Sequence, residues 1–398
     1  MTMWWWCTTI CIHVKAENDS LKLGDTLNST SMLVSKEGKY CMNFTQNPDP
    51  KSLTYLQIRV QRKDVWAVWF ANRNQPVEMG SAVLALNNSG VLKIESNIGK
   101  PIILYSSPQP FNKSTIVVAT LLDTGNFVLQ QIQPNGMKIV LWQSFDHPTD
   151  SLLPEMKLGV NHKTGHNWSL VSWLGHSNPT DGPFKLDWEP RRRELVIKHR
   201  DKVYWTSGEF KNNRFEHISA DGFQYKILSN ENEEYFTYTT PNEDDLTKWT
   251  LLETGQLINR KGDDIARADL CYGYNTDGGC QKYEKVPTCR NSGDVFESKQ
   301  GYTNNIMLNN LGNANYSISD CQTICWKNCS CIGFKTFYDN GTGCMFFLSM
   351  EGINIASGGD QFYILVKNTH HKKGMHPTTT ITQLLVLDPL LCIIHDNM

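Results

Sequence analysis

The chain has 398 residues, too many for one compact core, so roughly two to four domains are expected. A formal net charge of −2 with 20% charged residues leaves no electrostatic footprint for nucleic acid and no acidic tail. Hydrophobic content of 40%, with 12 Trp and 14 Tyr, argues against disorder.

In chain order, residues 1–16, MTMWWWCTTICIHVKA, read as a short signal peptide. The stretch Met3–Val14 is apolar, and the small residue Ala16 follows with Val14 two positions before it. Residues 17–142 read as short strands (LTYLQIRV, VWAVWFAN, AVLALNN, TIVVATLLD and others) with Asn, Asp, Gly and Pro in the gaps, the pattern of an all-β prism, barrel or sandwich. LNNSGVLKI and LLDTGNFVL look like two copies of one turn-and-strand unit. A Pro-bearing connector, WQSFDHPTDSLLPEMKLG, then leads into a second β domain over 143–267, rich in aromatic and β-branched residues and without helical periodicity. Residues 268–292 form a cysteine-rich linker, and 293–368 a small α+β module. The tail, 369–398, has an apolar stretch of fourteen residues from Ile381 to Ile394, broken by Asp388 and Pro389. A bilayer span needs about twenty apolar residues, and a GPI-type signal would end in an unbroken apolar run, so neither kind of anchor is expected.

Cys7, Cys11, Cys41 and Cys392 are scattered, whereas the other eight cysteines lie between Cys271 and Cys344. The segment CQTICWKNCSC has C-x3-C-x3-C-x-C spacing, which is neither the paired C-x2-C knuckle of a zinc site nor the C-x-x-C of a thioredoxin motif. A helix over 317–329, opened by a capping box of Ser317 and Asp320, would set Cys321, Cys325 and Cys329 on one face. Disulfides anchoring that helix to a sheet are the expected chemistry, with no metal and no other cofactor. Glycosylation sequons at Asn18, Asn28, Asn43, Asn87, Asn112, Asn167, Asn315 and Asn340 point to the same secreted, extracellular setting. A ninth, at Asn328, lies between cystine positions and is cramped.

WQSFDHPTDSLLPEMKLGVNHKTG (142–165), NRNQPV (72–77), LLDTGNFVL (121–129), VYWTSGEF (203–210) and the cysteine helix together resemble the extracellular part of plant S-domain receptor-like kinases. These are the G-type lectin S-receptor kinases, grouped with the S-locus glycoproteins. The resemblance spans about residues 20–368 and implies a mainly β fold: a bulb-type lectin β-prism, an S-locus glycoprotein region, an EGF-like segment and a disulfide-rich PAN/apple module. It suggests the pairs Cys321–Cys344 and Cys325–Cys331; for the rest, where eight cysteines allow about 105 connectivities, Cys289–Cys329 and Cys271–Cys280 are guesses that the resemblance does not supply. Three cysteines stand where an EGF module has six, which puts that fold in doubt. The phosphoryl-transfer motifs of the family's kinase, G-x-G-x-x-G with V-A-I-K, H-R-D-L-x-x-x-N and D-F-G, do not occur. The expected product is therefore an ectodomain without catalytic activity, or the truncated product of a receptor-kinase gene.

Bulb-type lectins hold mannose on a strand Q-x-D-x-N-x-V-x-Y. Laid on this chain, that motif falls on Leu122, Thr124, Asn126, Val128 and Gln130, and only Asn126 and Val128 match. The earlier copy offers Asn87, Ser89, Val91, Lys93 and Glu95, with no match. Without the carboxylate the strongest acceptor is gone, so the lectin architecture is expected to persist and mannose binding to be lost. Asn126 reads instead as a turn residue with left-handed geometry. Ser144, Asp146 and His147 are close neighbours on a segment read as extended, where alternating faces forbid a catalytic relay. Arg191–Arg193, between Glu189 and Glu194, reads as a solvated loop. The expected role is recognition of an extracellular peptide or glycan ligand, as a homodimer or as a heteromer with a receptor-like kinase. A working mannose lectin is the alternative.

Overall fold

The computed structural model describes residues 18–45, 52–61, 66–109, 111, 115–218, 222–241, 246–303 and 312–367. The expected signal peptide, the tail 369–398, the sequon at Asn112 and the cysteines Cys7, Cys11 and Cys392 lie outside them.

Strands dominate because apolar side chains alternate and turn residues punctuate them. Leu56–Val60 buries every second residue, and Ile116–Leu121 turns Val117, Ala119 and Leu121 inward. The strands of the first unit build three four-stranded antiparallel sheets, nested in sequence. Ser20–Lys22 joins Ile116–Leu121, Phe127–Ile132 and Lys138–Gln143; Thr26–Asn28 joins Val83–Leu86, Leu92–Glu95 and Ile102–Tyr105; Leu33–Val34, Tyr40–Phe44, Leu56–Val60 and Ala67–Phe70 form the third. Closing the outermost sheet with the earliest strand makes a prism with one interior.

The same nesting recurs further along. Ser151–Leu152 joins Trp249–Leu251, Gln256–Asn259 and Asp264–Arg267; Leu158–Asn161 and Asn167–Trp168 join Gln224–Ser229 and Glu233–Thr239; Leu170–Gly175, Asn178–Glu189, Glu194–His199 and Lys202–Thr206 form the innermost sheet. The second β region is thus built as the first is, and it holds a third copy of the repeated turn, LLETGQLIN at 251–259. The three copies share one hydrogen-bond pattern: the amides of Gly90, Gly125 and Gly255 donate to the carbonyls of Asn87, Leu122 and Leu252, whose own amides donate across the turn to the carbonyls of Val91, Asn126 and Gln256. Each glycine adopts a left-handed φ, of 79°, 85° and 90°. A Cβ at Gly255 would also lie 2.6 Å from the Phe184 ring, so both backbone and packing demand glycine there.

One apolar cluster runs through both units, from Leu21 to Cys280, around the fully buried Phe44, Phe127, Phe184, Trp205, Phe236 and Trp249. Each such ring contributes about 1.5–3 kcal/mol by leaving water. Polar clamps cross the same junction. Trp69 Nε1 donates to the His147 carbonyl at 2.7 Å, Arg73 donates to the carbonyls of Val171 and Ser172 at 3.0 and 2.6 Å, and Asn74 exchanges hydrogen bonds with Asp181. This is the role of the NRNQPV segment.

Beyond residue 290 a five-stranded antiparallel sheet (Val295–Thr303, Gly333–Thr336, Cys344–Phe347, Ile353–Ile355 and Asp360–Val366) carries one helix, Ile318–Lys327. The capping box forms as expected: the Ser317 side chain accepts from the Asp320 amide, and the Asp320 carboxylate accepts from the Ser317 amide. The helix is shorter than the sequence suggested. It stops at Lys327, so Cys329 lies beyond its end and exposed, off the face shared by the buried Cys321 and Cys325. Among the described residues four disulfides are formed: Cys271–Cys280, Cys289–Cys329, Cys321–Cys344 and Cys325–Cys331. Cys41 is buried as a free thiol.

One expected glycan position is buried in the folded chain. Asn43 is only 6% exposed; its amide donates to the Phe44 carbonyl and accepts from Arg59, leaving no room for a sugar on the folded chain. Asn18, Asn28, Asn167 and Asn315 are exposed, and Asn87 and Asn340 are half-buried.

Candidate functional site

The degenerate mannose strand is Phe127–Ile132 with the turn before it. Asn126 does not take the left-handed conformation expected of it; Gly125 does. Asn126 is instead a buried latch, 8% exposed. Its Nδ2 donates to Gln143 Oε1 at 3.0 Å, while its Oδ1 accepts from Ser144 Oγ and the Phe145 amide, both at 3.2 Å. Val128 is 2% exposed. Neither residue offers a free polar group or an open apolar face to a sugar. In the earlier copy Lys93 and Glu95 neutralise one another as an ion pair, and Asn87 Oδ1 accepts the amides of Ser89 and Val91.

Ser144–Asp146 is a single turn of 3-10 helix, not the extended segment expected, but the conclusion against a relay is reached by a different route. Ser144 Oγ accepts the Phe127 amide, Asp146 accepts from Gln143, and His147 stacks on Trp142 at 5.4 Å. His147 continues edge-on to His166, and His166 to Trp168, so the connector is an aromatic ladder joining the two prisms. Burial, with the neighbouring His166, holds the His147 imidazole below its usual range. Arg191–Arg193 lies exposed on a turn with Arg192 paired to Glu194, as a solvated loop would.

Two clefts sit where the repeated turns meet the next unit. A cleft of about 450 Å³ lies between the first and second prisms, lined by Asp123, Thr124, Glu37 and Glu155. A cleft of about 420 Å³ lies between the second prism and the last sheet, lined by Glu253, Thr254, Lys335, Phe337, Tyr338 and Asp339 among others. Asp123 and Glu253 occupy the same position of the turn. Asp123 accepts the Glu37 amide at 2.8 Å, whereas Glu253 forms no ion pair among the described residues.

The second prism is bolted to the helix by a charged cluster. Arg200 Nη2 donates to Asp320 at 2.6 Å, and His199 Nε2 lies 3.1 Å from Ser319 Oγ and 3.7 Å from Asp320. Hydrogen bonds from Arg200 and the Ser317 amide outweigh the burial of Asp320 and hold its carboxyl below the usual range. For His199 burial outweighs the nearby carboxylate, and its pKa is pushed down to about 4. The unfolded chain therefore takes up this proton first, and stability is lost as pH falls from about 6.5 towards 4. Melting temperature measured between about pH 7 and 4.5 is expected to drop, and His199→Gln to flatten much of that slope. An unchanged slope in the variant would remove His199 as its source.

A family model described as D-mannose binding lectin matches residues 67–174. One G-type lectin S-receptor-like serine/threonine-protein kinase of Arabidopsis thaliana is 29% identical over 399 residues, covering 95% of this chain and 47% of that protein. A second from the same plant is 32% identical over 374 residues, covering 82% and 43%. An S-locus-specific glycoprotein of Brassica oleracea var. alboglabra is 25% identical over 406 residues, covering 88% of this chain and 91% of its own. The chain spans about half the length of the curated receptor kinases it matches.

Proposed function

We propose that this chain, a member of the S-domain family of G-type lectin S-receptor-like kinases and S-locus glycoproteins, serves as an extracellular recognition module with no catalysis of its own. Ligand capture and pairing with a second copy or a receptor kinase are its proposed work. The observation that carries this reading is the combination of homology over nearly the whole chain with four disulfides between Cys271 and Cys344, a pattern suited to an oxidising, exported setting. We further propose the division into a bulb-type lectin prism, an S-locus glycoprotein prism, a short cystine-bearing linker in place of an EGF module, and a PAN/apple-like sheet and helix. Non-reducing peptide mapping of protein secreted from plant cells should recover the four cystines and occupied glycans at exposed sequons. Reduced thiols without sugar would sink the reading.

The matching lectin family keeps mannose binding as a second reading. Burial of Asn126 and Val128 counts against it. Asn126→Ala is expected to cost about 2 kcal/mol of stability, because buried donors and acceptors lose their partners, and to leave any response on a mannose glycan array unchanged. Loss of mannose binding at full stability would instead restore the lectin assignment.

A further inference from the structure

We infer that the cleft between the second prism and the last sheet binds a cationic peptide segment, holding an arginine or lysine side chain. This deepens the recognition reading and rests on it.

The cleft is of a size to take one or two side chains rather than a domain, about 420 Å³. Its charge is unbalanced. Asp360 is neutralised by Lys335, whose Nζ lies 2.6 Å from it and also donates to Thr303. Glu253 and Asp339 carry no ion pair among the described residues, so two uncompensated carboxylates border one concavity. The matching acid of the first prism, Asp123, is already engaged by the Glu37 amide; the Glu253 carboxylate makes no such bond.

Beside these acids stands an aromatic corner. Phe337 and Tyr338 are 36% and 39% exposed, and their rings meet edge to face at 4.7 Å. The corner is fixed before any ligand arrives. Tyr338 Oη donates to the Gly312 carbonyl at 2.8 Å, and the amides of Phe337 and Tyr338 both donate to the Thr342 carbonyl. The Cys321–Cys344 bond ties down the strand that follows. A guanidinium that reaches carboxylates while lying on an aromatic face uses both features at once, and a rigid receptor loses little entropy in taking it. A neutral glycan would use the rings but leave the two charges unmatched.

The test uses the full secreted chain and a fluorescein-labelled hexapeptide of alternating arginine and glycine, read by fluorescence anisotropy. A glutamate-for-arginine peptide and unlabelled mannotriose serve as comparisons. The arginine peptide should bind, more weakly as salt rises from about 0.05 to 0.5 M, and the glutamate peptide should not. Glu253→Gln with Asp339→Asn should weaken binding roughly tenfold, the scale of one charge-assisted contact, and Phe337→Leu roughly threefold. Glu231→Gln with Glu351→Gln, an equal charge change at exposed positions away from the cleft, should leave binding unchanged. All variants should melt with the parent. The inference is overturned by a parent that ignores the arginine peptide, by equal losses in both double variants, or by mannotriose displacing the probe. A disulfide-bonded, glycosylated chain that ignores the peptide would overturn the cleft assignment alone, because the recognition reading fails only if the thiols are free.

Discussion

Replacing Arg290 with alanine is expected to unfold the last sheet and helix while both prisms remain folded, at a cost of about 2–4 kcal/mol, the scale of two buried acceptors losing their donor. Arg290 is 7% exposed, and its guanidinium donates to the carbonyls of Cys325, Trp326, Asn328 and Cys331 at 2.7 to 3.1 Å. The first three lie in or just past the final turn of the helix, where carbonyls run short of partners and the dipole favours a cation, although the Cys325 carbonyl also accepts the Asn328 amide. The guanidinium also packs against the Trp326 ring, 5.7 Å from its centroid. Alanine would take this donor from the carbonyls of Trp326 and Cys331, whereas those of Cys325 and Asn328 would keep the amides of Asn328 and Cys331. Lysine restores the charge but not the planar fork, so Arg290→Lys should recover only part of the loss. Hydrogen exchange over 318–331 reports the outcome directly: faster exchange there with unchanged protection at 56–60 is expected, and uniform protection in the alanine variant would refute this role.

Cys321→Ser with Cys344→Ser should lower the stability of the same module by about 3 kcal/mol, the entropy that a closed loop of this length removes from the unfolded chain. The bonded positions are 23 residues apart. Cross-links make up much of its interior. Its main buried cluster contains Cys321, Cys325, Cys331, Cys344, Phe334 and Phe346, so four of its six members are cystine halves. Such a core cannot offset chain entropy without cross-links. The Cys271–Cys280 bond closes a shorter loop, of 9 residues, and sits in the large core of the prisms beside Trp205, so its removal should cost less. Calorimetry of the two serine pairs would separate them. Equal shifts, or no early transition for the first pair, would show that packing rather than cross-linking sustains the module.

Much of the architecture was legible because it rests on local rules. Alternation at LTYLQIRV gave a strand, Ser317 with Asp320 gave a helix start, and Asp-x-Gly or Asn-x-Gly gave turns. The third turn, LLETGQLIN, has Glu253 where the others have Asp or Asn, so its kinship shows in the shared glycine and hydrogen bonds, and it reveals that the second β region repeats the first. What no window of sequence displays is pairing across distance. Arg73 bonds to carbonyls 98 and 99 positions away, and Arg290 caps a helix 35 to 41 positions downstream. Asn126 matched a sugar motif by type, but its environment, set by Gln143 and Ser144 across a hairpin, turned both ends of its amide inward. The burial of Asn43 was hidden for the same reason, since a sequon says nothing of which face of a strand its asparagine occupies.

The continuous apolar interior from Leu21 to Cys280 constrains how this protein can be cut or recombined. Severing the chain near residue 142 would strip cover from Trp69, Trp142 and Trp168 together, giving two sticky halves in place of two free-standing modules. Exchange of one prism between paralogues should succeed only when the ladder residues travel with it, so the pair is the smallest inheritable unit.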